Sequence, residues 1–394
     1  MKILIVTNQY PYPLHNGQNL RIYHYARHLC ERHDIDMICY GNEDDKRQGG
    51  EYFNNIVFFE KPIYKKTDKR RIRDIIASFS LKEMLPSDEK VKWYIKKVIK
   101  SKPYDLIWMS GWDMASSIPH ELPVPFLADI VDDGVLEHAR ELKNASSIKS
   151  FVIMAKRLLM NFFLERRYFC RADRVLLVSE VDSKWFSTVC PKTDVSVVHN
   201  GVDEDYYRPL CIEEENNTII FEGSMDFRPN VDGVIYFCRE ILPLIIKEKP
   251  QTKFYIVGKN PVPEVKSLSS DKIIVTGFVD DVRPYIARSN VFVCPLRKGA
   301  GIKNKILQAW SMGKAVVATS ASVGGLATET DKNIIIQDQP ELFAREVVSL
   351  LDDQYKREKI GQEARSTILS KYTWRIKSME LEDVMISLLN STRS

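Results

Sequence analysis

The chain lacks any apolar run that could cross a membrane. Its 394 residues contain no stretch of about eighteen consecutive apolar residues, the length that a membrane-spanning helix requires. The opening sequence, MKILIVTNQYPYP, has too short an apolar run for a secretory signal. We therefore expect a cytoplasmic protein whose contact with the inner face of the cell membrane, if any, is peripheral.

Cysteine is present without the spacing that binds metals. The seven cysteines include no C-x-x-C pair, and none is spaced from a histidine as zinc ligands are. An odd, scattered set of cysteines is typical of reduced thiols in the cytosol. The sequence therefore predicts free thiols and no metal site.

A large excess of one charge is also missing. The formal net charge is +4 at pH 7, which is too small to indicate a nucleic-acid partner. No G-x-G-x-x-G motif opens a helix after the first predicted strand, which argues against a nicotinamide-dependent dehydrogenase. With 44% apolar and 28% charged residues, the composition is that of a globular chain, and its length allows about two to three domains.

Strand patterns alternate with helix patterns along the whole chain. The first is KILIVT at residues 2–7, an apolar run typical of a buried parallel strand. Such alternation predicts doubly wound parallel sheets, so the expected fold class is α/β. A polar run at residues 213–217 interrupts the periodicity, and we place the domain boundary between residues 200 and 217. The expected parts are two Rossmann-like domains and a last helix: residues 1–199, 200–372 and 373–394.

The most informative segment is GAGIKNKILQAWSMGKAVVATSASVGG at residues 299–325. Its pattern predicts a Gly-rich loop, a helix at residues 302–312 and a buried strand at residues 315–319, preceded by a strand at residues 290–295. Gly313 lies where a helix C-cap is expected. The segment therefore predicts strand, loop, helix and strand in succession.

The loop before this helix favours an anionic ligand. It would leave backbone N–H groups free at a helix N-terminus, where phosphate groups bind. Lys303 and Lys305 in the predicted first turn oppose the helix dipole, but they would pair with a dianionic group bound there.

This segment resembles the nucleotide-sugar site of the retaining glycosyltransferases of family 4, which have the GT-B architecture of two Rossmann-like domains facing across a cleft. Its G-x-G-I-K-N-K motif is similar to that of a sugar-transferase subgroup of the family. The resemblance covers nearly the whole chain, including NGVD at residues 200–203 and FEGSMDFRPNVD at residues 221–232. Most members carry two glutamates on this helix, and here their positions hold Ala300 and Gln308.

The resemblance implies a last helix that crosses back onto the first domain, and a nucleotide-diphosphate sugar as donor. Transfer from such a donor needs cations, a helix N-terminus or a metal ion to stabilise the leaving diphosphate. The chain has no paired D-x-D motif after a strand and no histidine-rich cluster. This favours the metal-independent route that the resemblance also implies, with no cofactor beyond the donor substrate.

The resemblance also points to residues for the donor site. Lys303 and Arg228 are candidates for stabilising the diphosphate, with Lys305 as a weaker one, and the alternative for Lys303 and Arg228 is a solvated surface charge. Gln308 lies where a glutamate usually holds the ribose, and its amide can still donate and accept hydrogen bonds. The other candidates would contact the donor through the backbone or through small or apolar side chains: Gly17, Gly223, Ser224, Gly301, Ile302, Gly324 and Gly325.

Acceptor-side candidates follow two predicted strands of the first domain, at the carboxyl ends where open α/β sheets place ligands. They are Asp129, Asp132, Asp133, Ser179 and Glu180. Asp132 is the candidate catalytic carboxylate, because many relatives have a histidine nearby and this chain has none until His138. The alternative for the aspartates is solvation or capping of the next helix. Arg21 is expected to face the cleft or the solvent, and His199 to be packed in a turn.

Two segments combine basic with apolar residues, at 61–73 and 150–171. Each could rest on an anionic membrane, or be a helix packed on its own domain with a charged outer face. Lipid-linked acceptors are common in the family that the chain resembles, so peripheral membrane contact remains one hypothesis.

The predicted function is that of a retaining, metal-independent glycosyltransferase of the hexosyltransferase type. It would move a sugar from a nucleotide-diphosphate sugar to a glycan or lipid-linked glycan in cell-surface polysaccharide synthesis. Two alternatives stay open. One is a nucleotide-sugar epimerase of the same fold, and the other is a non-catalytic homologue, suggested by Ala300 and Gln308, that binds a nucleotide or a partner enzyme.

Overall fold

The structure of the chain is a computed structural model that describes residues 1–14, 17–47, 49–61, 85, 87–131, 133–143, 147–298 and 301–393. Three of the sequence-based predictions fall outside these residues: those on Asp132, on Ala300 and on residues 62–73 of the first basic segment. The chain divides into two compact units, Met1–His199 with Lys377–Ser394, and Asn200–Ile376. We call them the first and the second unit.

The first unit is built on a parallel sheet. Its strands are Lys2–Thr7 (β1), Asp34–Tyr40 (β2), Asn55–Phe59 (β3), Leu106–Ser110 (β4), Phe126–Val131 (β5), Arg174–Leu177 (β6) and Asp194–Val197 (β7). Its helices include Gly17–Leu29 (α1), Glu89–Ser101 (α2), Gly134–Lys143 (α3), Ile148–Leu164 (α4) and Glu180–Val189 (α5). The strands pair in the order β3-β2-β1-β4-β5-β6-β7. Ile5 of β1 lies opposite Met37 and Trp108, all three buried, which accounts for the unbroken apolar run in the sequence.

The second unit has a smaller parallel sheet. Its strands are Thr218–Glu222 (β8), Lys253–Val257 (β9), Ile273–Gly277 (β10), Val291–Cys294 (β11), Val316–Ala318 (β12) and Ile335–Ile336 (β13). Its helices include Arg228–Tyr236 (α6), Leu242–Glu248 (α7), Pro263–Lys266 (α8), Arg283–Arg288 (α9), Asn304–Ser311 (α10), Pro340–Asp352 (α11) and Gln354–Lys371 (α12). The strands pair in the order β10-β9-β8-β11-β12-β13. Phe221, Phe292 and Trp310 are fully buried in its core.

The last helix is Trp374–Arg393 (α13), and its residues from Lys377 onward belong to the first unit. Glu382 of this helix accepts a hydrogen bond from Arg32 Nε at 3.1 Å and lies 2.7 Å from His33 Nε2. These contacts attach the C-terminal part of α13 to the residues that follow α1.

The prediction of an α/β fold with two doubly wound parallel sheets is confirmed. In each sheet the strand order reverses once, between β1 and β4 in the first unit and between β8 and β11 in the second. Ligands of open parallel sheets bind beyond the carboxyl ends of the strands at this switch point. The loops after β1, β4, β8 and β11 therefore mark where binding residues are expected.

The helix predicted at residues 150–171 differs from the one observed. The observed helix begins at Ile148, because Ser147 and Ser150 form a reciprocal capping box. Its α-helical geometry ends at Leu164, and a π-helical turn, Glu165–Phe169, follows. The sequence analysis also did not predict the short elements α3, α5 and β7.

The expectation that all cysteines are reduced is wrong for one pair. Cys170 and Cys190 form a disulfide with their Cα atoms 5.2 Å apart. The π-helical turn before Cys170 and the end of α5 bring together two residues that no sequence motif connects. The remaining thiols, at Cys30, Cys39, Cys211, Cys238 and Cys294, are free.

Candidate functional site

The switch point of the second unit is built on close backbone packing. Strand β8 ends at Glu222, and Gly223 follows with φ +151°. A Cβ on Gly258, which follows β9, would lie 1.8 Å from the carbonyl oxygen of Gly223. Only glycine fits at position 258, because a Cβ there would force the backbone to shift.

Lys305 of α10 reaches this turn. Its Nζ donates hydrogen bonds to the Glu222 carbonyl at 2.5 Å and to Asn230 Oδ1 at 2.9 Å, and it lies 4.0 Å from the centre of the Phe221 ring. Burial lowers the pKa of Lys305, and the nearby Glu222 carboxylate opposes that shift. Burial likewise raises the pKa of Glu222. Lys305, the weaker candidate of the sequence analysis, thus lies at the switch point.

Lys303 lies just before helix α10. The helix begins at Asn304, two residues later than predicted, so Lys303 is its N-cap residue and not part of the first turn. Lys303 Nζ donates to the carbonyl oxygen of Gly301 at 3.0 Å, and Gly301 has φ +64°. The Lys303 side chain makes no capping hydrogen bond, so the positive end of α10 can receive an anion.

The C-terminal end of α10 has the predicted glycine cap. Gly313 has φ +70°, its N–H donates to Trp310, and the N–H of Lys314 donates to Ala309. This pair of hydrogen bonds is the Schellman pattern. It ends the helix and directs the chain into β12.

Gln308 is held by a tyrosine. Its Nε2 donates to Tyr207 Oη at 2.9 Å. Burial raises the pKa of Tyr207, and the Glu222 carboxylate adds to that shift. Gln308, Tyr207 and Glu222 therefore form one polar group beside Lys305, with the amide oxygen of Gln308 still able to accept a hydrogen bond.

The other donor candidates lie at the same carboxyl edge of the sheet. Arg228, the first residue of α6, is exposed and pairs with no carboxylate among the residues described. Ser224 Oγ donates to Asp226 at 2.6 Å. Gly324 and Gly325 are exposed after β12, while Ile302 packs against the core of the unit.

In the first unit, Gln18 follows Gly17 and links the ends of β1 and β4 by hydrogen bonds. Gln18 Nε2 donates to the Ser110 carbonyl at 2.9 Å and also contacts Thr7 Oγ1 and Asn8 Oδ1, each at 3.2 Å. A Cβ on Gly17 itself would meet no atom within 4 Å. The protein's own packing therefore does not require glycine there, and the space beside it is open.

Arg21 was expected to face the cleft or the solvent, but its side chain is buried within the first unit. Its guanidinium binds both oxygens of Asp129, at 3.2 Å each, and donates to the Val198 carbonyl at 2.9 Å. Both side chains are fully buried. Asp129, an acceptor-side candidate, is thus fully engaged in a buried ion pair.

Asp133 is buried beside a second carboxyl group, Glu165. Asp133 accepts from the N–H of Leu136 at 2.6 Å, and Glu165 accepts from the N–H of Val135 at 3.2 Å, so the two groups cap the start of α3. One oxygen of each has no hydrogen-bond partner among the described residues. Burial raises the pKa of Glu165 to about 8 and that of Asp133 to about 6. The Asp133 carboxyl group adds to the rise at Glu165, and Asp182 adds to the rise at Asp133.

Ser179 and Glu180 differ in exposure. Ser179 is buried as the N-cap of α5, where its hydroxyl bonds the Asp182 carboxylate and accepts from the Asp182 N–H. The Glu180 side chain is 60% exposed and lies 3.3 Å from His199 Nε2. His199 is packed as expected, with Nδ1 2.9 Å from the Val178 carbonyl, and burial lowers its pKa.

Comparison with known proteins identifies both parts of the chain. Residues 15–206 match the model of the family described as Glycosyltransferase Family 4, and residues 216–353 match that of Glycosyl transferases group 1. The chain is a GT-B glycosyltransferase. An uncharacterized 44.6 kDa protein in the cps region of Klebsiella pneumoniae is 22% identical to this glycosyltransferase over 94% of its chain and 96% of the relative.

Two solved structures have the same fold over nearly the whole length of both chains. Sucrose-phosphate synthase from Thermosynechococcus elongatus has a TM-score of 0.72 at 15% identity, covering 99% of this glycosyltransferase and all of that chain. HepE from Anabaena in complex with UDP has a TM-score of 0.66 at 16% identity, covering 98% and 100% of the two chains. At these identities the likeness shows the fold alone.

Sequence reasoning missed several polar residues of the glycosyltransferase. Glu222, Tyr207 and Gln18 all lie within or directly beside motifs that the sequence analysis quoted, but their side chains gain significance only through contacts with distant residues. Glu222 is the last residue of β8, and this position at the carboxyl end of a strand could have singled it out.

The described residues contain neither a metal-binding cluster nor a membrane-spanning helix. No group of three or more His, Cys, Asp or Glu side chains among them is arranged to hold a metal ion. No described helix is both long and apolar enough to span a bilayer.

The buried carboxyl pair predicts a specific pH dependence. Glu165 has a pKa near 8 when folded against an ordinary value of 4.5, so folding favours its neutral form. The stabilisation is complete below about pH 4.5 and is lost as the pH rises through about 8, by up to about 1.4 kcal/mol per pH unit. Asp133 adds to this in the same direction. Thermal unfolding between about pH 5 and pH 9 should show a smaller loss of stability for Glu165→Gln than for the wild type.

The amide of Glu165→Gln keeps an oxygen for the Val135 N–H, and it adds a donor for Asp133. Glu248→Gln, at an exposed position of α7, serves as the matched control and should follow the wild type. Equal pH dependence of the wild type and Glu165→Gln would show that Glu165 is ionised in the folded protein.

Proposed function

We propose that this glycosyltransferase moves a sugar from a nucleotide-diphosphate sugar to a glycan or lipid-linked glycan, with retention of configuration and without a metal ion. The observation that supports it best is the convergence of Lys303, Lys305 and the open N-terminus of α10 at the switch point of the second sheet. Two cations at the N-terminus of a helix suit a diphosphate. HepE, which has the same fold, binds UDP.

In this proposal the donor diphosphate binds at α10, and negative charge grows on it as the bond to the sugar breaks. The ammonium groups of Lys303 and Lys305 and the dipole of α10 stabilise that charge more strongly than the charge of the bound substrate. Arg228 is an exposed cation that can add to this support. The amide oxygen of Gln308 accepts a hydrogen bond from a ribose hydroxyl. Most family members have a glutamate in this position.

The exposed loops supply further donor contacts. Gly324 and Gly325 offer backbone N–H groups after β12, and Gly223 and Ser224 line the turn after β8. Gly17 leaves open space beside the start of α1 in the first unit. Each of these positions allows close approach of a ligand to the backbone.

The acceptor-side candidates differ in how far their side chains are exposed to solvent. Asp129 and Ser179 are buried in hydrogen bonds within the protein, and Asp133 caps α3. Glu180, exposed and beside His199, is the described residue best able to accept a hydrogen bond from an acceptor hydroxyl. Asp132 remains the proposed catalytic carboxylate. The relative in the Klebsiella pneumoniae cps region supports an acceptor of the cell-surface polysaccharide class.

A nucleotide screen tests the donor site. UDP, GDP, CMP and dTDP are compared for their effect on the melting temperature of the wild type, of Lys303→Ala and of Lys247→Ala. One nucleotide should stabilise the wild type by roughly 2.7 kcal/mol at a hundred times its dissociation constant, and the shift should be lost in Lys303→Ala. Lys247→Ala, which removes an exposed lysine of α7, should keep it.

The corresponding nucleotide sugar then separates the functions. A transferase consumes it faster in the presence of a suitable glycan, whereas an epimerase converts it with no acceptor. Binding without any turnover would identify a non-catalytic homologue. If none of the four nucleotides shifts the melting temperature, the donor-site proposal fails.

A further inference from the structure

Helix α4 carries an apolar stripe on its outer face. Ile148, Val152, Leu159 and Phe163 recur at intervals that place them on one side of an α-helix. Their exposed fractions are 86%, 59%, 50% and 48%. Single exposed apolar residues are normal on protein surfaces, but a continuous stripe of large ones marks an interaction surface.

The buried face of α4 lies on another side of the helix from the stripe. Met160, Asn161 and Leu164 provide the buried face of α4, and the helix packs against α3. The capping box at Ser147 stabilises the start of the helix independently of the outer face. Phe163 has a ring contact with Phe162 of the same helix, yet about half or more of each stripe side chain stays exposed.

The charged residues of α4 itself all have one sign. Helix α4 contains Lys149, Lys156 and Arg157 and no acidic residue. Arg166 and Arg167, both exposed, follow in the π-helical turn. Lys156 lies between Val152 and Leu159 in sequence and next to the stripe on the helix. A partner must therefore accept both apolar side chains and a row of cations.

A basic cavity lies at the C-terminal end of the same helix. It has a volume of about 460 Å³, and its described lining includes Lys92, Arg167, Arg171, His120 and the acidic Glu89. Arg171 is held there by the carbonyl oxygens of Pro119, Ile118 and Ala115. Three permanent cations around one cavity suit a phosphate-bearing head group.

We propose that the outer face of α4 is a docking surface for an anionic lipid bilayer, with the helix in the plane of the interface and a lipid head group in the basic cavity. The stripe would enter the acyl boundary while the cations meet anionic head groups, over a helix length of about 25 Å. This inference deepens the proposed function and rests on it only in giving access to a membrane-bound acceptor. A bilayer satisfies the apolar stripe and the cations of α4 together, which is why we favour it over a second protein chain.

Vesicle flotation of the full-length protein tests the proposal. The wild type should float with vesicles of phosphatidylcholine mixed with phosphatidylglycerol, and not with phosphatidylcholine alone. The variant carrying both Val152→Ser and Leu159→Ser should bind the mixed vesicles at least about tenfold more weakly. Leu369→Ser is the matched control, because Leu369 is a helical leucine of the second unit with 48% exposure, and it should float like the wild type.

Other outcomes overturn the assignment. Failure of the wild type to bind the mixed vesicles does so directly. Binding that survives in the double Ser variant but disappears in high salt would show charge attraction without insertion of the stripe. A wild-type dimer that becomes a monomer in the double variant, without vesicle binding, would identify a second copy as the occupant. The nucleotide-induced rise in melting temperature should be the same in the double variant and the wild type, so a failed donor site and a failed membrane surface give different results.

Discussion

The Lys305→Met variant is expected to lose about 10²–10³-fold in turnover of the nucleotide sugar. Lys305 holds its ammonium at the switch point through the Glu222 carbonyl and Asn230. Methionine keeps most of the side-chain volume and removes the charge that would stabilise the leaving diphosphate. Initial rates with the nucleotide sugar chosen by the thermal screen measure the effect. The loss should appear mainly in kcat, since the charge on the diphosphate grows as the bond breaks.

Two variants accompany this measurement. Lys247→Met removes an exposed lysine of α7 and should leave the rate unchanged. Lys303→Met should also reduce the rate, because Lys303 precedes the same helix N-terminus. If Lys305→Met stayed within about threefold of the wild-type rate, the lysine would be a structural part of the turn and the diphosphate would be stabilised elsewhere.

The Asp129→Ala variant is expected to destabilise the protein by about 3–5 kcal/mol, because it removes the carboxylate that faces the buried charge of Arg21. Both side chains are fully buried, and the guanidinium donates two hydrogen bonds to Asp129. Urea unfolding of the full-length protein measures the change. This result would establish a structural role for a residue that the sequence placed on the acceptor side.

A surface pair provides the comparison. Asp194→Ala removes the partner of Arg174 from an ion pair in which Asp194 is 70% exposed, and it should change stability by less than about 1 kcal/mol. Combining Asp129→Leu with Arg21→Met removes both buried charges and should recover much of the lost stability. An Asp129→Ala protein that unfolds like the wild type but transfers no sugar would instead place Asp129 in the acceptor site.

The strands and the donor loop could be predicted because their signals are local. β1 has the predicted bounds, since an apolar run between turn residues needs no distant partner to be recognised. The glycine cap at Gly313 is equally local. The start of α10 was misplaced by two residues because Ile302 continues the apolar pattern although its backbone is not yet helical.

The exposure of α4 shows the opposite case. Its composition allowed either a packed helix or a membrane surface, because an amphipathic pattern does not reveal which face meets the protein. The structure buries one side and leaves Ile148, Val152, Leu159 and Phe163 outside. Likewise, Cys170 and Cys190 carry no spacing signal, and they meet because two short elements end close together.

The sequence by itself determined the two parallel α/β sheets and the anion-binding segment at residues 299–325, since strand periodicity, glycine placement and helix caps depend on neighbours along the chain. Only the tertiary structure decided which charged groups are free to act. Arg21 and Asp129 are 108 positions apart, and Lys305 meets Asn230 from 75 positions away. Whether such a group is buried, paired or exposed depends on which strands become neighbours in the sheet, and that is a property of the folded chain rather than of any segment in it.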